Sequence, residues 1–260
     1  MALTVTRPEG SSDFVTSLAR GLAVIQAFSA ESSRMTLTEV AERTGLTRAA
    51  ARRFLLTLHT LGFVTYDGKY FALTPRVLCL GYAYLSSLDF WEATRPYLEE
   101  VTQALNESCS AAVLDATDVV YVARSAARHR LMSVTLRVGT RLPAHATSMG
   151  QVLLGGLNDR EWQAYCREAV LTRYTSRTLV RPDALLARVR AVREHGYAMA
   201  DQELEEGLRS LAVPVYDAGG ALRAAINLST HAARISKAAI LRDYLPPLKA
   251  AAAKISAAMT

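Results

Sequence analysis

Three arginines lie within six residues of one another, at Arg48, Arg52 and Arg53. A guanidinium group donates paired hydrogen bonds to a guanine edge or to a phosphate, so the cluster suits recognition of nucleic acid. On a helix with 100° per residue, Arg53 points away from the apolar face and the other two arginines lie on its flank. That apolar face comprises Ala51, Phe54, Leu55 and Leu58. The arginines are therefore expected to be accessible, either to DNA or as an ordinary solvated face.

The surrounding residues predict two helices joined by a tight turn. Thr36 and Glu39 have the spacing of a capping box, and Gly45 suits a left-handed helix end. Thr47 then caps a second helix, which is expected to end at Gly62. This arrangement is a helix-turn-helix, whose second helix presents its N-terminal residues to the major groove of DNA.

A hairpin is expected after the second helix, because FVTY and KYFAL flank the two-residue turn signal Asp67-Gly68. This hairpin would be the wing of a winged helix-turn-helix. Side chains at its tip and at the start of the first helix of the motif are placed to contact phosphates. The candidate DNA contacts are Thr36, Thr38, Thr47, Arg48, Ala49, Ala50, Arg52, Arg53 and Lys69.

Further elements flank this motif. Residues 1–14 lack apolar periodicity and are expected to form a flexible arm. Ser17 is expected to cap a helix whose apolar face carries Leu18, Leu22, Ile25 and Phe28. Thr74-Pro75 predicts the start of a linker helix reaching residue 90. Because apolar residues occupy nearly all sides of that helix, it is expected either to form a dimer interface or to be buried within a monomer.

The remainder of the chain predicts an antiparallel sheet with helices. Strands are expected in SAAVLDA, VVYVARS and LMSVTLR, with a turn at Thr117-Asp118 between the first two. A second hairpin, AVPVYD and ALRAAINLS, turns at residues 218–220. Helices are expected over 92–105, 148–154 and 182–195. A further helix is expected to be capped by Asn158, and a last one to begin at about Ser236.

Composition narrows the protein class. The formal charge of +6 and pI near 9.4 permit nucleic-acid binding, and residues 43–66 contain four arginines and no acid. No apolar run reaches membrane-spanning length and no signal peptide is visible, so a cytoplasmic protein without membrane contact is expected. Cys79, Cys109 and Cys166 are 30 and 57 residues apart, without a C-x-x-C motif or a nearby histidine pair, so they are expected to be free buried thiols rather than zinc ligands or a disulfide. No metal and no cofactor is expected.

A second constellation begins at Ser148-Met149-Gly150. This segment is expected to open a helix whose free backbone N–H groups could receive a carboxylate. Asn227 and Ser229 are two residues apart on a predicted strand, so they face the same side and could converge on one ligand. These residues predict an effector site for a small organic acid.

An enzyme remains a weaker alternative. His145, Ser148 and Asp201 include the residue types of a serine hydrolase triad. The sequence has no G-x-S-x-G elbow, phosphate loop or H-E-x-x-H motif, so no catalytic residue is assigned. A protein-interaction module that retains an unused helix-turn-helix is a third alternative.

The chain resembles the IclR-type transcriptional regulators. The resemblance rests on the capped helix, the GLT turn, RFLLTLHTLGFV, the wing and TPRVLCLG, and continues through RLPAHATSMGQVLL and GYAMADQELEEGLRSLAVPVYDAGGALRAAINLS. Within the family, the chain is most similar to the branch that regulates protocatechuate, 4-hydroxybenzoate and β-ketoadipate catabolism. The segments that carry this similarity are RSAARHRLMSV, SMGQVLL and ELEEGLRSLAVPV. The resemblance to the IclR-type family covers residues 15–258.

This resemblance implies an α+β protein with a GAF-like antiparallel-sheet effector domain at the C-terminus. It also implies a homodimer that can pair into a tetramer. Ser148 and Met149 stand where some relatives carry glycine and alanine, and Asn227 replaces a common serine, so the resemblance does not fix the effector. The resemblance assigns effector contacts to Ser148, Met149, Asp201, Leu208, Ser210, Asn227 and Ser229. The predicted helix start adds Gly150 as a further candidate contact.

The sequence thus predicts a winged helix-turn-helix over 15–75, a linker helix over 76–90 and an effector-binding and oligomerisation domain over 91–260. The expected function is regulation of genes for aromatic-acid catabolism, by binding double-stranded operator DNA under control of an organic acid. The protein would then associate with the nucleoid. The alternative is control of another catabolic operon by an unrelated effector.

Overall fold

A computed structural model of the chain describes residues 13–86, 90–127 and 136–259. The chain divides into two compact units, Met1–Ser87 and Leu88–Thr260. Most of the predicted flexible arm, the end of the predicted linker helix and most of the predicted strand LMSVTLR lie outside the described residues. Each unit is described separately below.

The first unit contains three helices around a small sheet, followed by a fourth helix. Its core consists of apolar residues from each helix of the motif and from the sheet, including Val24, Val40, Leu55 and Phe71. The three strands are antiparallel in the order β1-β3-β2. The elements are α1 (Thr16–Gln26), β1 (Arg34–Met35), α2 (Leu37–Thr44), α3 (Arg48–Thr60), β2 (Val64–Tyr66), β3 (Phe71–Leu73), a 3-10 turn (Pro75–Val77) and α4 (Leu78–Ser86).

The predictions for α1 were wrong in detail. The helix begins at Thr16 after an uncapped Val15, so Ser17 is not its cap. Its buried residues are Ala23 and Val24, whereas the exposed fractions of Leu18 and Leu22 are 64% and 46%. Ile25 and Phe28, the other two residues of the predicted face, are half-buried and pack against the core, so the prediction of this face is wrong only for Leu18 and Leu22.

Local sequence signals fix the helix-turn-helix. Thr36 and Glu39 form both hydrogen bonds of a capping box at the start of α2, and Gly45 ends the helix in a left-handed conformation with a φ of 65°. The Thr47 hydroxyl caps α3 by accepting a hydrogen bond from the N–H of Ala50 at 3.2 Å. The predicted caps of both helices are confirmed.

The wing differs from the predicted two-residue hairpin. Tyr66 and Phe71 are the last paired residues, so the loop has four residues, 67–70. The Asp67 carboxylate accepts hydrogen bonds from the N–H groups of Lys69 and Tyr70 at 3.0 and 2.8 Å. These bonds, together with a backbone hydrogen bond from the Asp67 N–H to the Tyr70 carbonyl oxygen at 3.2 Å, close the loop. The short strand β1, which was not predicted, pairs with β3 on its other edge.

The second unit is built on a six-stranded antiparallel sheet in the order β6-β5-β4-β9-β8-β7. Its strands are β4 (Ser108–Asp115), β5 (Asp118–Ser125), β6 (Arg141–Pro143), β7 (Ala198–Asp201), β8 (Leu208–Tyr216) and β9 (Leu222–His231). Its helices are α5 (Phe90–Leu105), α6 (Ser148–Leu154), α7 (Asp159–Glu168), α8 (Pro182–His195), α9 (Lys237–Ala239) and α10 (Leu245–Ala257), with a π-helical segment over Ile240–Tyr244.

Both faces of this sheet are covered. α6 and α8 lie on one face, in a core that includes Tyr121, Met149, Leu185 and Ala212. α5 and α10 pack on the other face. Strands with buried residues on both faces explain the long apolar runs of β8 and β9.

The helices over 148–154 and 182–195, the antiparallel β4–β5 pair and the hairpin of β8 and β9 match the sequence predictions. Asn158 caps α7 in a capping box with Glu161. The short strands β6 and β7 were not predicted, since three or four residues give too little alternation. The first turn also differs by one residue, because it lies at Ala116 and Thr117.

The three cysteines differ in environment. Cys109 on β4 is buried as predicted and Cys166 on α7 is intermediate, but Cys79 on α4 is exposed, so the prediction of a buried thiol was wrong there. Burial raises the pKa of the Cys109 thiol to about 12. Within residues 13–86, 90–127 and 136–259, no cluster of side chains could hold a metal ion, and no helix is long and apolar enough to cross a membrane.

Candidate functional site

The first candidate surface is the start of α3. Ala51, Leu55 and Leu58 are buried, so the helix is fixed against the core with Arg52 and Arg53 exposed. Thr47, Arg48 and Ala49 are also exposed, and Ala50 is half-buried. No ion pair joins any of the three arginines to a carboxylate within the described part of the chain. An exposed guanidinium cluster with small neighbouring side chains can approach the edge of a base pair closely.

The two threonines at the start of α2 have different surroundings. The Thr36 hydroxyl donates to Glu39 Oε2 at 2.8 Å, and the Thr36 N–H donates to the same oxygen at 2.7 Å. These hydrogen bonds lower the pKa of the Glu39 carboxyl. Thr36 is therefore occupied by the helix cap, and Thr38, two residues further along, is half-buried.

The wing carries two cations around one aromatic ring. Lys69 Nζ lies 5.0 Å from the centre of the Tyr70 ring, and the Arg34 guanidinium lies 5.1 Å from it. Arg34 also pairs with Asp67. Lys69 was predicted as a phosphate contact, whereas Arg34 was missed because only its position on β1 brings it to the wing.

The second candidate site is a cavity between the sheet and the segment that leads into α6. The space between its walls is about 320 Å³, a volume that includes open solvent at its mouth. Four residues predicted as effector contacts, Leu208, Ser210, Asn227 and Ser229, line it. The other lining residues are Tyr121, Leu142, Ala146, Thr147, Ala200, Glu203 and Leu204.

The strand register explains why these polar residues converge. Ser210 of β8 pairs with Ser229 of β9, and Asn227 lies two residues along the same strand. The Asn227 amide donates to the Ser229 hydroxyl at 3.4 Å. Residues with a spacing of two share one face, so the alternation that predicted this group also positions it.

The start of α6 is packed more tightly than predicted. Ser148, Met149 and Gly150 are buried, and a Cβ atom added to Gly150 would lie 2.1 Å from the carbonyl oxygen of Ala144. The Thr147 hydroxyl accepts from the N–H of Gly150 at 3.1 Å, so one of the predicted carboxylate donors is already bonded. Ser148 Oγ has no partner among the described residues. Thr147, one residue before this segment, lines the cavity instead.

Asp201 lies in an ion-pair cluster rather than on the cavity wall. Its carboxylate accepts from Arg209 and Arg177, each at 2.7 Å, and pairs with Lys237 at 2.9 Å. Burial alone would raise the pKa of this carboxyl, but hydrogen bonds from Lys237 and Arg209 outweigh it and lower the pKa to about 2. The cluster ties the end of β7 to β8 and to the start of α9.

A buried network that the sequence did not reveal borders the cavity. Glu203 accepts from Gln151 Nε2 at 2.6 Å and from Arg188 Nη1 at 2.9 Å. Arg188 also donates to Gln151 Oε1 at 2.9 Å. The acids at 201 and 203 are two residues apart in one acidic run, and no local signal distinguishes their partners.

The three residues of the hydrolase alternative do not form a triad. His145 Nε2 is bonded to the Thr172 carbonyl oxygen at 3.0 Å, and burial lowers the pKa of His145. Ser148 Oγ makes no hydrogen bond to it, and Asp201 is bonded to its three cations. A nucleophile, base and orienting acid must be linked in sequence by hydrogen bonds, and here they are not.

Two family models match the chain. Residues 17–68 match the IclR helix-turn-helix domain, and residues 82–257 match the bacterial transcriptional regulator IclR C-terminal domain. The Pca regulon regulatory protein of Pseudomonas putida is 48% identical over 242 residues, which cover 93% of this chain and 83% of that protein. The p-hydroxybenzoate hydroxylase transcriptional activator of Acinetobacter baylyi is 39% identical over 242 residues, covering 91% and 89% respectively.

Solved structures share the fold. A Rhodococcus sp. RHA1 protein is 50% identical, with a TM-score of 0.82 over 95% of this chain and 98% of that chain. An IclR homologue from Microbacterium hydrocarbonoxydans, solved in complex with 4-hydroxybenzoate, has a TM-score of 0.81 at 23% identity, over 93% and 98%. These matches agree with the α+β architecture described above.

Proposed function

The chain belongs to the IclR family of bacterial transcriptional regulators, and from this premise we propose that it controls genes for the breakdown of aromatic acids in response to a small organic acid. The observation that carries the proposal is that one chain contains both an exposed arginine cluster, on α3, and a polar-lined cavity, in the second unit. The names of the two relatives, a Pca regulon regulator and a p-hydroxybenzoate hydroxylase activator, support the class of genes.

The DNA end of the proposal rests on α3 and the wing. Arg48, Arg52 and Arg53 reach base edges or phosphates, and the small Ala49 and Ala50 permit close approach. Lys69 contacts a neighbouring phosphate from the wing, and Thr38 and Thr47 contact the sugar-phosphate backbone. Thr36 takes a smaller part, because its hydroxyl is held by Glu39.

The effector end rests on the composition of the cavity wall. Leu208 and Tyr121 provide apolar surface for a ring, and Ser210, Asn227 and Ser229 provide neutral hydrogen-bonding groups. An apolar wall with a few polar groups suits a small aromatic acid. We propose that Ser148, Met149 and Gly150 lie behind Thr147, where they shape the cavity. Asp201 lies beside the cavity and has a structural role, because its carboxylate pairs with three cations.

The cytoplasmic protein is proposed to act as a dimer that can pair into a tetramer. One winged helix contacts few base pairs, and two-fold pairing doubles the contacts. Leu78 and Tyr82 of α4 are 73% and 66% exposed, which gives this helix an apolar surface for a second copy. The segment from α4 onward is the covalent route by which effector binding reaches the DNA-binding unit.

The test is a fluorescence-anisotropy titration of the full chain with duplex DNA from upstream of its own gene. We expect 4-hydroxybenzoate, protocatechuate or β-ketoadipate to change the operator Kd by about 5- to 150-fold, and Asn227→Ala to weaken that response. No binding to the duplex would contradict the regulator, and a response only to unrelated metabolites would redirect it to another operon. Light scattering of the same samples should give a dimer or larger, against 28.3 kDa for one chain.

A further inference from the structure

One arginine on the sheet of the second unit has no acidic partner among the described residues. Arg124 of β5 donates from Nη1 to the Ser110 hydroxyl at 3.1 Å, and its side chain is half-buried. Burial lowers the pKa of its guanidinium, and the two groups that oppose this shift are the uncharged side chains of Tyr121 and Cys109. No carboxylate among the described residues pairs with it, and residues 126–137 that follow contain no Asp or Glu.

The other sheltered cations of this unit are paired. Among its described residues, three arginine or lysine residues are buried or half-buried, namely Arg124, Arg188 and Arg209. Arg188 pairs with Glu203 at 2.9 Å and Arg209 pairs with Asp201 at 2.7 Å. A sheltered guanidinium without a carboxylate is costly in free energy, which makes Arg124 the exception that calls for an anion from outside the described chain.

Strand register places Arg124 on the cavity face. Arg124 pairs with Ser110 of β4, and Ser110 pairs with Asn227 of β9, which lines the cavity. A bulge between Ala111 and Ala112 brings Tyr121 of the same strand to this face as well. With strands about 4.8 Å apart, Arg124 stands two strands from Asn227, at about 10 Å along the wall.

Buried hydroxyls connect these positions. Ser110 is 1% exposed and Ser108 is 5% exposed, and Ser108 pairs in register with the cavity residue Ser229. The one acid of the cavity wall, Glu203, is already bonded to Gln151 and Arg188. Arg124 and Ser110 are not among the residues that line the open cavity, so the guanidinium lies on the same sheet face just beyond the cavity's edge, with no acidic partner among the described residues.

We propose that Arg124 is the carboxylate-binding residue of the effector site, and that a bound ligand reaches from the open cavity across β4, so that Ser110 and Asn227 lie under its body. The inference rests on the proposed function and names the group that distinguishes an acid from a neutral ring compound. A guanidinium and a carboxylate form two parallel charge-assisted hydrogen bonds, which fix the orientation of the ligand. The far end of the ligand then reaches Ser210.

The experiment compares 4-hydroxybenzoate with its uncharged amide, 4-hydroxybenzamide, by calorimetry on the full chain. We expect wild type to bind the acid more tightly, and Arg124→Met to lose about 10- to 100-fold in acid affinity while amide affinity stays within about 3-fold. Amide binding also reports that the cavity is folded. Arg124→Lys, which keeps the charge without the planar fork, should lose less acid affinity than Arg124→Met.

Arg223→Met is the matched control, because Arg223 is exposed on the β8–β9 hairpin and pairs with Asp217. Its acid affinity should equal that of wild type. If wild type binds the acid and Arg124→Met binds it equally well, the inference on Arg124 is wrong while the proposed function stands. If wild type binds neither this acid, protocatechuate nor β-ketoadipate, the proposed effector class and the inference both fail.

Discussion

The arginines of the two units serve opposite purposes. On α3, Arg48, Arg52 and Arg53 are exposed and have no carboxylate partner among the described residues. In the second unit, Arg188 and Arg209 are sheltered and each holds a buried acid. An exposed arginine keeps its hydration when it is unpaired, so it costs the fold little and stays available for a ligand. A sheltered arginine must be paired, so its role is structural unless an external anion completes it.

The largest expected effect tests the structural half of this comparison. Asp201→Asn leaves the 9% exposed Arg209 side chain without its carboxylate, and it should lower the free energy of unfolding by about 3 kcal/mol. Denaturant unfolding followed by circular dichroism measures this loss. Asp243→Asn is the control, because its pair with Arg242 is exposed and should change the free energy by less than about 1 kcal/mol.

Acid sharpens the same measurement. The pKa of Asp201 is lowered to about 2 from an ordinary 3.8, so its stabilising effect is complete above about pH 4 and is lost as pH falls toward 2. Wild type should lose about 2 kcal/mol more than Asp201→Asn between pH 5 and pH 2. Parallel acid titrations of the two proteins would contradict the ion-pair role.

An intermediate effect tests the DNA half. Arg52→Ala and Arg53→Ala should weaken operator binding, by about 1 to 3 kcal/mol for an arginine that bonds a guanine. Their unfolding free energies should stay within about 0.5 kcal/mol of wild type, because both side chains are exposed. Arg160→Ala, an exposed arginine of α7, controls for net charge. Two variants with wild-type operator affinity would remove α3 from the DNA interface.

The smallest expected effect concerns the wing. Lys69→Ala should weaken binding to operator and unrelated duplex alike, since a phosphate contact carries no sequence information. The slope of log Kd against log salt should become shallower by about one unit. Anisotropy titrations at three salt concentrations measure it. A loss confined to the operator would instead show that the wing reads bases.

Local signals were sufficient for some elements. The helix-turn-helix was predictable because Thr36, Gly45 and Thr47 act on backbone groups within four residues of themselves. The polar face of β9 was predictable for the same reason, since alternation alone aligns Asn227 with Ser229. Helices and strands whose ends are set by adjacent residues need no knowledge of the rest of the chain.

Other features depend on distant partners. The buried face of α1 is determined by packing, which buries Ala23 and Val24 and leaves Leu18 and Leu22 exposed. The different surroundings of Asp201 and Glu203 depend on Arg209 and Arg188, which are their respective partners. Arg124 and Asn227 share a face of the sheet only because of the register of β4. Such contacts join residues that no short window of sequence contains together, so their charges alone do not reveal the pairing.

The three cysteines give the molecule a built-in labelling position. Thiolates react with alkylating reagents, and burial has raised the pKa of Cys109 to about 12 and has also raised the pKa of Cys166. Cys79 is exposed on α4, near the boundary between the two units. A maleimide fluorophore or spin label should therefore attach mainly there in the unmutated protein, and would place a spectroscopic reporter on the helix that precedes the chain connection between the two units.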